Sequence, residues 1–310
     1  MSYVLVTGGT GTLGRALEPV LTAAHRRVRV FSRHSAPAGR HPLTWAQGDL
    51  RTGAGLNEAV RNTTTVIHLA TNSSGGDAAA TERLVRAIRR GCRPTAPLPH
   101  LIYLSIVGVD RIPLGYYREK LAAEQVVQRS GLPFTIVRST QFHSLVFGLI
   151  ALQRHWPVVL APDVRLQPID VKDVAVQLLG YTRLGPTGGE TTEQSGFGAA
   201  TGIEDGDDAA GGYIGGYGGP GHENGLSGAG RVPDLGGPEV LTVVDMARAT
   251  LAALRAPGAA PRRGLLPLHL PGKAFAAFRA GEALVQNGPA TGTLTFADFL
   301  AARAGDSDVL

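Results

Sequence analysis

Residues 3–21 read YVLVTGGTGTLGRALEPVL, and this stretch decides the fold. The run Tyr3–Thr7 is β-branched, aromatic or aliphatic and does not alternate with polar residues, which is how a strand covered on both faces reads. Gly8, Gly11 and Gly14 follow as Gly-x-x-Gly-x-x-Gly, and a helical pattern runs from Gly14 to Ala24. In such a loop Gly8 permits a tight turn, Gly11 lets backbone approach a pyrophosphate, and Gly14 lets the helix sit close on the strand. The helix start offers free N–H groups and about half a positive charge to phosphates. With Thr10, Thr12 and Leu13 completing the turn, the segment is expected to hold a dinucleotide.

The same alternation continues outward. Strand-like runs occur at Val28–Phe31, Val66–Leu69, Leu101–Ser105 and Thr135–Val137, with helical patterns at Gly55–Val60, Ala78–Arg90 and Tyr116–Ser130 between them. Strand–helix repetition predicts an α/β fold, a Rossmann-type doubly wound parallel sheet with ligand at the carboxyl ends of its strands. The expected division is a nucleotide-binding core over 1–143 and a smaller C-terminal substrate lobe over 144–310, some of whose elements return to the core. Helices are expected at Val171–Tyr181, Leu241–Ala253, Lys273–Glu282 and Phe296–Ala302. Between them, 185–230 hold 17 of the 42 glycines and look like an insertion within the fold.

Composition narrows the class. With 43% hydrophobic residues the 310-residue chain can bury a sizeable core. A single cysteine, Cys92, excludes an intramolecular disulfide and any cysteine-built metal cluster, and no metal is expected. The acidic group Glu204, Asp205, Asp207 and Asp208 lacks the spacing of a calcium loop. The apolar stretch Leu145–Leu152 is too short to span a bilayer, and Met1 leads straight into a strand, so a soluble cytoplasmic protein is expected. The net charge of +5 is carried by arginines, without the basic and aromatic interleaving of a nucleic-acid surface. Small-molecule ligands, and a monomer or homodimer, are expected instead.

The second strand ends FSRH, residues 31–34. An acidic residue there would accept from the adenosine ribose hydroxyls; Ser32 and Arg33 instead offer a hydroxyl and a bidentate fork to a ribose 2′-phosphate. NADP(H) is the expected cofactor, in preference to NAD(H).

Several segments together carry a resemblance: TGGTGTLG (7–14), FSR (31–33), GDL (48–50), HLAT (68–71), YLSIVGVD (103–110), YYREKLAAE (116–124), VRSTQF (137–142) and QPIDVKDVA (167–175). The chain resembles an atypical short-chain dehydrogenase/reductase of the NmrA-like branch, and its insertion and arginine-rich style resemble antibiotic-pathway polyketide ketoreductases of the angucyclinone, simocyclinone type. The resemblance implies that Asp49 and Leu50 flank the adenine and that Leu69, Ala70 and Thr71 run along the nicotinamide ribose. It implies that Thr140–His143 border the nicotinamide, with Gln141, Phe142 and His143 as substrate contacts.

It also implies a catalytic set of Ser105, Tyr116 and Lys120. In reductases with this set the tyrosine protonates the carbonyl oxygen, the lysine holds the ribose and lowers the tyrosine pKa, and the serine orients the carbonyl. Tyr116 and Lys120 are four apart and share a helix face. The Ser105–Tyr116 connection is short and contains Pro113 and Gly115, which leaves water or a substrate hydroxyl as the other proton source. His25, His41 and His100 are expected in solvated loops, and Asp170 as a helix cap. The insertion 188–229 is expected to cover the substrate as a lid, with Phe197, Tyr213 and Tyr217 against a flat ligand. The expected activity is NADPH-dependent reduction of a bulky, aromatic carbonyl compound; an NADP-sensing regulator without turnover and a quinone reductase are the alternatives.

Overall fold

In the computed structural model, which describes residues 2–36, 43–72, 75–92, 96–183, 230–254, 264–286 and 288–305, the glycine-loop strand lies inside a seven-stranded sheet. The first half runs β1 (Tyr3–Thr7), α1 (Thr12–Ala23), β2 (Val28–Ser32), β3 (Thr44–Gln47), α2 (Leu56–Ala59), β4 (Thr63–His68), α3 (Asp77–Gly91), β5 (His100–Ile106), α4 (Gly115–Gln128) and β6 (Phe134–Ser139). The second half runs α5 (His143–Ala151), β7 (Val158–Pro162), β8 (Arg165–Leu166), α6 (Val171–Tyr181), β9 (Gly230–Arg231), β10 (Leu241–Thr242), α7 (Val243–Ala253), β11 (Gly264–Leu268), α8 (Lys273–Arg279) and α9 (Phe296–Gly305). The main sheet has the order β3-β2-β1-β4-β5-β6-β9 and every pairing is parallel, so the fold is a Rossmann-type α/β sheet.

The unalternating strand runs have their explanation in two cores. Leu5, Val66, Leu101 and Ile136 pack towards α2, α3 and α4, whereas their neighbours Val4, Ile67, Ile102 and Val137 pack towards α1 and α6. Successive side chains point to opposite faces and both faces are dry, so each strand position is apolar. Burying one such aliphatic side chain is worth about 1.5–3 kcal/mol, which fixes the register. Asp170 caps α6 through a hydrogen bond from the Lys172 amide at 2.8 Å.

Two boundaries differ from the sequence pattern. β3, TWAQ, lacks an apolar run because it is the sheet edge beside β2 and is only half covered. The apolar stretch Leu145–Leu152, read only as too short to span a bilayer, falls almost wholly within α5. His100 is a correction: it is fully buried at the start of β5 and its Nε2 lies 2.9 Å from Thr135 Oγ1. A third cluster joins the two parts of the chain: Val146, Phe147 and Ile150 of α5 meet Met246 and Ala247 of α7, Phe296 and Leu300 of α9, and Val109, Ile112 and Tyr117 from before residue 143. Residues after 143 also serve the sheet, since α6 packs with Leu13 and Leu17 of α1 and β9 extends β6. Phe197, Tyr213, Tyr217 and the whole 188–229 insertion lie outside the described residues. Among the described residues, no helix is long and apolar enough to cross a membrane.

Candidate active site

Each glycine of the loop does a distinct job. Gly8 has φ of +72°, a conformation open to glycine, and a side chain there would strike the Ala70 backbone at 2.7 Å. A methyl on Gly14 would collide with the Gly9 backbone, so this residue sets the spacing of α1 from β1. Gly11 caps α1 without a side-chain partner, its amide bonded to the Gly8 carbonyl at 3.0 Å. The first turn of α1 contains no acidic residue, and with Gly8, Gly11, Thr12, Leu13 and Gly14 it forms one end of a cavity of about 760 Å³. A cradle that a Cβ would fill, at a positive helix end, fits the pyrophosphate of a dinucleotide.

The floor behind the loop is held by His68, the last residue of β4. Thr81 spends its hydroxyl hydrogen on the Asp77 carbonyl, 2.7 Å away, so His68 Nε2–H donates to Thr81 Oγ1 at 3.1 Å. His68 Nδ1 therefore accepts from Thr7 Oγ1 at 2.6 Å, which ties the end of β1 to α3. Burial, reinforced by the charge on Lys120, drives the His68 pKa down to about 3. The unfolded chain takes up a proton below about pH 6.5 that the folded one refuses, so stability falls with pH between those values. His68→Asn should therefore remove about 2 kcal/mol of the stability loss between about pH 6.5 and pH 5, read from urea unfolding at each pH. Equal acid limbs in the two proteins would mean that His68 is protonated in the fold.

Ser105, Tyr116 and Lys120 all line the same cavity. Ser105 is near the carboxyl end of β5, 2% exposed, and its Oγ has no partner among the described residues. Lys120 is 4% exposed; Nζ donates to the Leu104 carbonyl at 3.2 Å, stands 3.7 Å from Asp77 and sits over the Tyr103 ring. Burial lowers its pKa and Asp77 opposes that shift. Asp77, at the start of α3, also accepts from the Asn72 amide at 2.8 Å and from Thr71 Oγ1 at 2.5 Å.

That last bond decides the direction of the next. Thr71 has given its hydrogen to Asp77, so in the 3.0 Å contact between Thr71 Oγ1 and Tyr116 Oη the tyrosine is the donor. The Tyr116 hydrogen points at Thr71. Burial raises the phenol's pKa. Behind α4, Arg138 makes a bidentate pair with Glu124 at 2.8 and 2.7 Å and reaches Asp110 at 2.9 Å. This pair anchors α4 to β6 beneath the cavity.

Thr140, Gln141 and Phe142 line the cavity, as do Leu69 and Thr71. His143 is a correction. It is 1% exposed, donates from Nε2 to the Pro168 carbonyl at 3.0 Å and packs edge-on to Phe296, so the first turn of α5 turns it into the lobe junction. Leu145, Leu149 and Leu152 take the cavity side of α5 instead; they are 52%, 57% and 73% exposed and form an apolar wall. Ser32, Arg33, Asp49 and Leu50 gather at the carboxyl ends of β2 and β3, beyond this cavity; Arg33 is exposed, Asp49 accepts from the Arg51 amide, and Leu50 leans on the core. Thr10 is exposed on the loop and Ala70 backs Gly8. Sequence reasoning missed His68, Asp77, the Glu124–Arg138 pair and the leucine wall; only the leucines, in the apolar stretch 145–152, had left a visible sign.

Among the described residues, no group of three or more metal-ligating side chains is assembled. No curated protein sequence matches the chain. Among solved structures it is similar to a NADPH-dependent quinone oxidoreductase from Escherichia coli, at TM-score 0.64 and 15% identity over 97% of this chain and 99% of that one. It is similar, at TM-score 0.64 and 15% identity over 96% and 99%, to a nucleoside-diphosphate-sugar epimerase from Staphylococcus aureus. These likenesses concern the fold. Residues 8–145 match the family model described as NAD(P)H-binding, and this part of the chain is an NAD(P)H-binding domain.

Proposed function

We propose that the protein is an NADPH-dependent ketoreductase of the short-chain dehydrogenase/reductase type, NmrA-like branch, acting on a bulky aromatic carbonyl compound of polyketide kind. The observation that carries this reading is one cavity lined by the glycine loop, by Ser105, Tyr116 and Lys120, and by the apolar wall of α5. NADPH supplies the hydride when bound. The Ser105 hydroxyl, without an acceptor among the described residues, donates to the carbonyl oxygen and orients it. Lys120 is held by Leu104 and Asp77 with a donor to spare for a ribose hydroxyl. The leucines on the cavity side of α5 offer an apolar face to a flat ring system.

Tyr116 can act as the acid only by turning its hydrogen away from Thr71. Tyr116→Phe should therefore lower kcat by less than about tenfold, against the 10²–10⁴ of an obligatory general acid, with water or a substrate hydroxyl as the donor. A loss of about a thousandfold at unchanged NADPH affinity would restore Tyr116 as the proton source. Arg33→Ala should weaken NADPH binding by about 10–100-fold, the worth of a charge-assisted pair to the 2′-phosphate, and leave NADH binding as it was. Fluorescence titration of both nucleotides checks this, and equal affinities for the two in the unaltered protein would refute the preference. Turnover is tested by following NADPH consumption against aromatic ketones and quinones. Quinones share the flat carbonyl and enter the panel because the Escherichia coli structure is that of a quinone oxidoreductase. Tight NADPH binding without consumption on any of them would favour a sensing role.

A further inference from the structure

The wall of the cavity contains two stranded polar atoms. Ser105 Oγ and Gln141 Oε1 are both buried, both belong to cavity-lining residues, and neither has a partner among the described residues. They come from neighbouring strands: Ser105 pairs in register with Arg138, and Gln141 follows two residues after Ser139, where the chain leaves β6. In the structure the Gln141 side chain gives one end of its amide to the protein. Its Nε2 donates to Tyr117 Oη at 3.3 Å, while the Ile169 amide bonds to the main-chain carbonyl of the same residue at 2.9 Å. The atom left over is the amide oxygen, an acceptor and nothing else. Leu104, Ile106 and Phe142, which line the same cavity, offer no side-chain hydrogen bond.

A ketone oxygen satisfies Ser105, because a serine hydroxyl can donate to it. It cannot satisfy Gln141 Oε1, since two acceptors do not pair. A buried acceptor left unpaired costs free energy comparable to a lost hydrogen bond. Resting on the carbonyl-reductase reading above, we infer that the substrate is a hydroxy ketone, its carbonyl taken by Ser105 and a hydroxyl on a neighbouring carbon taken by Gln141. Gln141 is then a specificity-determining residue. A site built around a substrate hydroxyl rejects the analogue lacking it far more strongly than an apolar pocket rejects a missing methylene.

Two matched pairs of probes test this: benzoin against deoxybenzoin, and 2-hydroxy-1-tetralone against 1-tetralone. NADPH consumption should give a kcat/KM at least about thirtyfold higher for the hydroxylated member of one pair or both. Calorimetric titration of the same compounds into the NADP⁺-loaded protein should show the same order of affinity. In Gln141→Met, which keeps the length and removes the acceptor, the ratio should fall towards unity while NADPH still binds. Parity in both pairs in the unaltered protein would overturn the inference, because water would then be serving Gln141, and would leave the carbonyl-reductase reading intact. Binding preference for the hydroxylated members without any turnover would do the reverse, keeping hydroxyl recognition and removing the reductase. A Gln141→Met protein that binds NADPH and keeps the full ratio would also overturn the inference.

Discussion

Lys120→Met should cost about 3–5 kcal/mol of stability and lower kcat/KM by 10² or more, because it removes the only positive charge within ion-pair distance of Asp77 among the described residues. Asp77 is 5% exposed and keeps two hydrogen bonds, from Thr71 and the Asn72 amide, without Lys120. Those bonds do not neutralise a carboxylate in a dry pocket, and breaking a buried pair from one side is what makes the loss large. The double variant Lys120→Met with Asp77→Asn separates the two effects. It should recover most of the stability, since neither residue is then charged, and should recover none of the turnover. Urea unfolding and NADPH titration on the three proteins are the measurements. A single Lys120→Met variant with unaltered NADPH affinity and turnover would show that the lysine is a structural counter-ion to Asp77 and nothing more.

That experiment also marks where sequence reading stops. Lys120 and Tyr116 were singled out by the resemblance that YYREKLAAE carries, and their four-residue spacing on one helix face is a local relation that needs no fold. The strands were legible for a similar reason: Val4-Leu5-Val6 is apolar at every position only if both faces are covered. Asp77 had no such sign. Its importance arises from Thr71, six residues before it, and Lys120, far along the chain, which meet only when β4, α3 and α4 come together at the carboxyl edge of the sheet. The direction of the Tyr116 hydrogen bond lies deeper still, since it depends on what Thr71 has already bonded. His143 fails for another reason. It adjoins the cavity residues Gln141 and Phe142 in sequence, but α5 begins at that point and α9, through Phe296 and Phe299, claims the side chain. The same helix phase delivers Leu145 and Leu149 to the ligand side. An apolar run does not disclose which of its faces stays open.

The glycine loop allows the other large effect to be dissected, because Gly14 and Gly11 have opposite surroundings. A methyl at Gly14 would meet the Gly9 backbone and stand 2.5 Å from the Gly8 carbonyl oxygen. Every neighbour in that clash is main chain, so no rotamer change relieves it; α1 must lift from β1 and the loop must open. Gly14→Ala is expected to cost about 1–3 kcal/mol or more through overpacking and to weaken NADPH binding by at least 10², since the helix start no longer faces the phosphates at the same distance. A methyl at Gly11 has a single close neighbour, the Gly8 carbonyl oxygen at 3.2 Å, and otherwise points into the cavity. Gly11→Ala should therefore fold with nearly unchanged stability and still lose NADPH affinity, because the methyl takes the space of the phosphates. Thermal unfolding with and without NADPH distinguishes the two: a lowered midpoint in the absence of nucleotide for Gly14→Ala, and a normal midpoint that NADPH no longer raises for Gly11→Ala. If Gly11→Ala were stabilised by NADPH as fully as the unaltered protein, the phosphates would have to lie elsewhere than at the start of α1.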